Sequence, residues 1–225
     1  MALPGWSTGK VYAIGFNKTG TTSLHDIFTD FGYHSFHGTV WRRTRFPLIH
    51  FFYDAFCDGV PDDFRKLDRI FPKSKFILQV RNLDEWLDSR LEHINRLPRK
   101  GGRGRSADWT ATDDSVKSWV HKREAYHADV LRYFADRPDD FLLVNYIRDR
   151  DAAKRIATFL GKPAPAEKPH SNKNPNATGR ALRNADTIVR CLNAMGIPET
   201  EWRNDLLCPS LGDASHSLPS DTAAA

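Results

Sequence analysis

One stretch near the start of the chain restricts its fold more than any other: Val11-Tyr12-Ala13-Ile14-Gly15-Phe16-Asn17-Lys18-Thr19-Gly20-Thr21-Thr22-Ser23-Leu24. A short apolar run of β-favouring residues stops at Gly15 and a hydroxyl-rich turn follows. Leu24, Ile27, Phe28 and Phe31 then recur at i, i+3, i+4 and i+7. The pattern predicts a strand, a tight loop and a helix.

That loop has the chemistry of an anion cradle. Gly15 and Gly20 let backbone approach a ligand, and the N–H groups and dipole of the helix start favour negative charge. Thr21, Thr22 and Ser23 offer hydroxyls or an N-cap, and Lys18 brings a full positive charge. The two glycines have the spacing of a Walker A loop, but Thr21 stands where that motif has lysine, and Lys18 enters ahead of the second glycine. An ordinary nucleotide triphosphatase is disfavoured.

A second informative stretch is Lys75-Phe76-Ile77-Leu78-Gln79-Val80-Arg81, which reads as a buried parallel strand with arginine at its C-terminal end. Asn82 is placed as an N-cap, with Glu85 completing a capping-box pattern. The helix that follows puts Leu83, Trp86, Leu87, Leu91 and Ile94 on one stripe, and Ser89 falls roughly opposite. Ligands of open α/β sheets bind beyond the carboxyl ends of strands, so Lys18 and Arg81 can face one anion from two sides.

Lys18-Thr19-Gly20-Thr21-Thr22-Ser23 resembles the Lys-Ser-Gly-Thr-Thr loop of the sulfotransferases that use 3′-phosphoadenosine 5′-phosphosulfate (PAPS). The resemblance implies that this loop holds the 5′-phosphosulfate. Arg81 and Ser89 have the spacing of the family's strand-end Arg and following Ser, which together hold the 3′-phosphate, and Phe71 to Leu78 resembles the family's lead-in to that strand. A polar, Pro-rich segment from Lys162 to Asn176 falls where the family returns a loop over the cofactor. Lys173 or Arg180 would then reach the 3′-phosphate, with nothing in the spacing to choose between them. "Phe-Leu-Gly" at 159–161 is a weaker point of similarity.

Between these stretches, Tyr33 to His37 alternates as a second strand would. Val40 to Phe56 mixes aromatics with Arg42, Arg43 and Arg45, which suits a helix covering a sheet, or an acceptor wall, better than a nucleic-acid surface. Asp54 to Gly59 is a short apolar segment between carboxylates. Pro61 marks a helix start ahead of Phe64, Leu67, Ile70 and Phe71. The run from Arg96 to Asp108, rich in Arg and Gly, is a basic loop. Thr112 or Asp113 caps a long helix carrying Val116, Trp119, Val120 and Val130, on which His121 and His127 ride. Phe141 to Val144 is a further strand, followed by a helix ending at Gly161 and a last helix over roughly 180–195.

The expected architecture is a single α/β domain over 1–209, a three-layer P-loop-type parallel sheet flanked by helices, followed by a tail at 210–225 too polar and small to pack. A net charge of +5 suits an anionic cofactor or an acidic acceptor and suits nucleic acid as well, so charge balance does not choose between them. Cys57, Cys191 and Cys208 are too scattered for a disulfide framework or a zinc site. With neither a signal-peptide core nor a membrane-length apolar run, the chain is expected to be cytoplasmic.

The resemblance implies sulfuryl transfer from PAPS without a metal, Lys18 stabilising the leaving bridging oxygen. The acceptor, a small molecule or glycan rather than nucleic acid, needs a general base, for which His37 and Asp58 are the first candidates. The family's usual Lys-x-x-His context is not present. Two rival readings are a small-molecule or nucleotide kinase with a degenerate phosphate loop, and a non-catalytic basic module that binds polyanions.

Overall fold

Five short strands, all parallel, form the sheet of the computed structural model, which describes residues 9–44, 47–96, 110–165 and 182–212. They are β1 (Val11–Ala13), β2 (Ser35–His37), β3 (Ala55–Cys57), β4 (Lys75–Gln79) and β5 (Phe141–Val144), in the order β2-β3-β1-β4-β5. Parallel strands need a crossover connection each, and the apolar runs at β1 and β4 fit strands covered on both faces. Tyr12 lies opposite Phe56 and Phe76, and His37 opposite Cys57, so the carboxyl ends of all five strands share one edge.

The chain divides into two compact units, Met1–Arg81 with Asp136–Arg180, and Asn82–Ala135 with Ala181–Ala225. The first unit holds the whole sheet with α1 (Thr21–Asp30), α2 (Phe64–Ile70) and α5 (Ala152–Phe159). One sheet face, with Val11, Ala13, Ala55, Cys57 and Ile77, packs against Leu24, Ile27 and Phe28 of α1 and Ala153 and Ile156 of α5. Tyr12, Phe56 and Phe76 form the opposite face. The Tyr12 ring stacks on Phe56 at 5.3 Å, on Phe76 at 5.4 Å and on Trp41 at 5.9 Å. Truncating such a buried ring costs about 3–5 kcal/mol.

The cover expected as a helix over 40–56 is instead two short 3-10 turns, Val40–Arg42 and Pro47–Phe51. Each seats one fully buried side chain. Trp41 donates from Nε1 to Cys57 O at 3.0 Å, and His50 donates from Nε2 to Trp41 O while its Nδ1 accepts from the Tyr12 hydroxyl, both at 3.1 Å. The apolar segment at Asp54–Gly59 contains β3, a strand of only three residues between β2 and β1. α2 starts at Phe64, three residues beyond the start expected at Pro61, after Asp63, whose carboxylate caps Lys66 N at 2.9 Å.

The second unit packs α3 (Leu83–Arg96), α4 (Asp113–Tyr133) and α6 (Ala185–Ala194). The capping box expected at Asn82 and Glu85 does not form. Leu83 N and Asp84 N donate to the carbonyls of Asn204 and Trp202, and Asn82 Nδ2 donates to Arg203 O at 2.5 Å. Buried Arg123 donates to the carbonyls of Asn204 and Asp205, Glu124 accepts from Cys208 N, and His127 Nδ1 donates to Leu206 O at 3.0 Å. Helix α4 thus carries a polar strip that clasps residues 204–208. Among the described residues no helix is long and apolar enough to cross a membrane.

Candidate active site

The loop between β1 and α1 is fastened at three points. Thr19 Oγ1 donates to Phe16 O at 2.5 Å and closes a turn inside the loop. Gly15 N donates to Gln79 Oε1 at 2.9 Å, and the Arg81 guanidinium donates from Nη1 to Lys18 O at 3.1 Å. The last two fastenings both come from the end of β4, the strand beside β1. Alternation along β4 puts Ile77, Gln79 and Arg81 on one side, and Ile77 lies in the α1 core.

Two backbone conformations shape the loop. Gly20 has φ +96, where only glycine is at ease, and it starts α1 with no side-chain cap. Lys18 has φ +69, a left-handed conformation that costs a non-glycine residue about 1 kcal/mol. Such strain often marks function. The first turn of α1 carries no acidic residue, so the positive end of its dipole faces the loop uncompensated. Thr21, Thr22 and Ser23 make up that turn. This donor set, a cation with hydroxyls at a helix start, fits a phosphosulfate or phosphate group.

His37 ends β2 and its Nε2 lies 3.3 Å from Thr21 Oγ1, so the imidazole stands beside the loop. Next to it is a residue that the sequence reading missed. His25, at the start of the second turn of α1, lies with its ring 5.7 Å from that of His37 and its Nδ1 2.9 Å from Ser35 Oγ. Burial lowers the pKa of His25, the charge of His37 lowers it further, and Asp26 opposes both. The signal available was its spacing, four residues after Thr21. Asp58 follows β3 and, like Gly59 after it, has a positive φ, +100 against +106. A Cβ at Gly59 would come within 2.7 Å of Arg42 Nη1, so the Arg42 guanidinium lies against this turn.

The family model described as a sulfotransferase domain matches residues 41–177. The chain belongs to the sulfotransferase domain family. The match includes β4 and Arg81 and begins after the Lys18 loop. The crystal structure of mouse sulfotransferase SULT7A1 complexed with PAP is similar over 95% of this chain and 76% of that chain, at 12% identity and a TM-score of 0.44. At that level it adds nothing to the family match. No curated protein matches the chain.

In this sulfotransferase domain the sheet brings Lys18, Thr19, Gly20, Thr21, Thr22, Ser23, His37, Asp58 and Arg81 to the carboxyl-end edge of one unit. Ser89 lies in α3, which belongs to the other unit, and Lys173 lies outside the described residues. Tyr146, which follows β5, is another residue missed in the sequence. It is buried, and a Cβ at Gly20 would touch its ring at 3.4 Å, so Tyr146 backs the point where loop becomes helix.

Proposed function

We propose that this sulfotransferase domain moves a sulfuryl group from PAPS to a hydroxyl or amine of a small-molecule or glycan acceptor, with no metal ion in the step. The observation that carries the reading is the hydrogen bond from Arg81 Nη1 to Lys18 O, which ties two cationic residues from separate βα junctions to one loop. A donor with anionic groups at both the 3′ and the 5′ positions of its ribose suits two such residues.

Thr19 to Ser23 hold the 5′-phosphosulfate with backbone N–H groups and hydroxyls. Arg81 meets the 3′-phosphate, the role that the family resemblance alone implies for it, as it does for Ser89 and for Lys173. Lys18 stabilises the charge that gathers on the bridging oxygen as the sulfuryl group leaves. The acceptor loses its proton to a general base, and the place of His37 beside Thr21 supports it ahead of Asp58.

Calorimetric titration with 3′-phosphoadenosine 5′-phosphate (PAP) and 5′-AMP tests the donor. PAP should bind more tightly by about 1.5–3 kcal/mol, the worth of a hydrogen-bonded charge. Equal affinity for the two, or binding of neither, removes the donor assignment. Labelled PAPS offered to carbohydrate, phenolic and amine acceptors then identifies the acceptor class.

A further inference from the structure

Gln79 is the only glutamine in the chain and is wholly buried at the end of β4. Its carboxamide lies against the first residue of the anion loop so closely that a Cβ on Gly15 would sit 2.7 Å from Gln79 Cδ. Gly15 N–H is a donor, so the atom it meets at 2.9 Å must be the amide oxygen. That bond fixes the orientation of the group and points Nε2, two bonds away, elsewhere. Among the described residues Nε2 makes no hydrogen bond. A buried amide donor left unsatisfied costs about 1–3 kcal/mol, which an apolar side chain of similar shape would not incur.

Alternation places this side chain on the side of β4 that faces α1, beyond Ile77 and toward the start of the helix. We propose that Gln79 Nε2 is a donor of the anion site, giving its N–H to an oxygen of the 5′-phosphosulfate held by the Lys18 loop. Oε1 holds the loop open at Gly15 while Nε2 reads what lies in it. The inference rests on the donor assignment above and adds a neutral ligand to it.

A single glutamine gives a direct test on the unaltered chain. Labelled with ¹⁵N at the glutamine carboxamide, the protein shows one NH₂ pair, titrated with PAP, 5′-AMP and adenosine 3′-phosphate. PAP and 5′-AMP should shift the pair and slow its proton exchange, and adenosine 3′-phosphate should not. An unmoved pair under saturating PAP overturns the proposal, as does an equal response to all three ligands. Failure of the wild type to bind PAP at all strikes the donor assignment instead.

Gln79→Glu at pH 8 keeps an acceptor for Gly15 N and loses the donor, and Gln79→Met loses both. Each should weaken PAP and 5′-AMP about ten- to hundredfold with adenosine 3′-phosphate unchanged. A Gln79→Glu protein that binds PAP as the wild type does would confine Gln79 to holding Gly15.

Discussion

The Arg81 guanidinium donates to the main-chain carbonyl of Lys18 at 3.1 Å across two βα junctions. A side chain from β4 therefore helps set the conformation of a residue held at φ +69. Arg81→Ala should then act twice. PAP affinity should fall by about 1.5–3 kcal/mol, and 5′-AMP affinity by about 0.5–1.5 kcal/mol because the loop loses a tether. Calorimetry on both ligands checks this, and an untouched 5′-AMP affinity would leave the tether without consequence.

Lys18 is strained where it stands, so stability and activity should move in opposite directions there. Lys18→Gly should raise stability by about 1 kcal/mol while turnover collapses. Denaturant unfolding and a sulfuryl-transfer assay measure the two. Turnover equal to wild type would take Lys18 out of the chemistry.

The two glycines of the loop should fail differently. A Cβ at Gly15 would lie 2.0 Å from Gln79 O, a main-chain atom that cannot step aside, so Gly15→Ala should cost about 3 kcal/mol or more. At Gly20 the nearest contact is 3.4 Å and the difficulty is φ +96, so Gly20→Ala should cost about 1–2 kcal/mol. Chemical unfolding ranks them, and the reverse ranking would contradict this packing.

His37→Gln should lower kcat by about 10²–10⁴ with PAP affinity nearly unchanged. If Asp58→Asn produces that loss and His37→Gln does not, the base is Asp58.

Acid should destabilise the aromatic layer through His50. Burial lowers its pKa from 6.5 to about 4, with Lys10 adding to the fall and the bond to Trp41 O opposing it. Between those values the unfolded chain binds the extra proton, so stability is lost as pH drops from 6.5 to 4, by about 3 kcal/mol in all. His127, with its pKa lowered by burial to about 3, adds to the same slope. His50→Gln should flatten the wild-type decline in Tm over this range, and a parallel decline in both proteins would rule His50 out as its source.

What the sequence disclosed follows from which interactions are local. The loop at 15–23 and the strand ending at Arg81 are strong short-range patterns, and the apolar stripe of α3 is buried as its period requires. β3 escaped because a central strand of three residues has no period to detect, and its place is set by pairing with β1 and β2. The cover at 40–51 was legible as cover but not as 3-10 turns, since its form depends on how Trp41 and His50 meet the sheet. At Asn82 a local capping rule lost to carbonyls from residues 202–204, more than a hundred positions away. Gln79 gave no signal and His25 only its spacing from Thr21, because each matters through a partner that only the folded sheet brings near.

The interleaving of the two units bears on synthesis. Residues 82–135 leave the ribosome before the segment whose carbonyls receive the Arg123 guanidinium. Residues 9–81 likewise emerge before β5, which completes their sheet. A nascent chain halted near residue 135 would hold a four-stranded sheet with β4 exposed as its edge, and an arginine that must stay in water until residues 204 and 205 arrive.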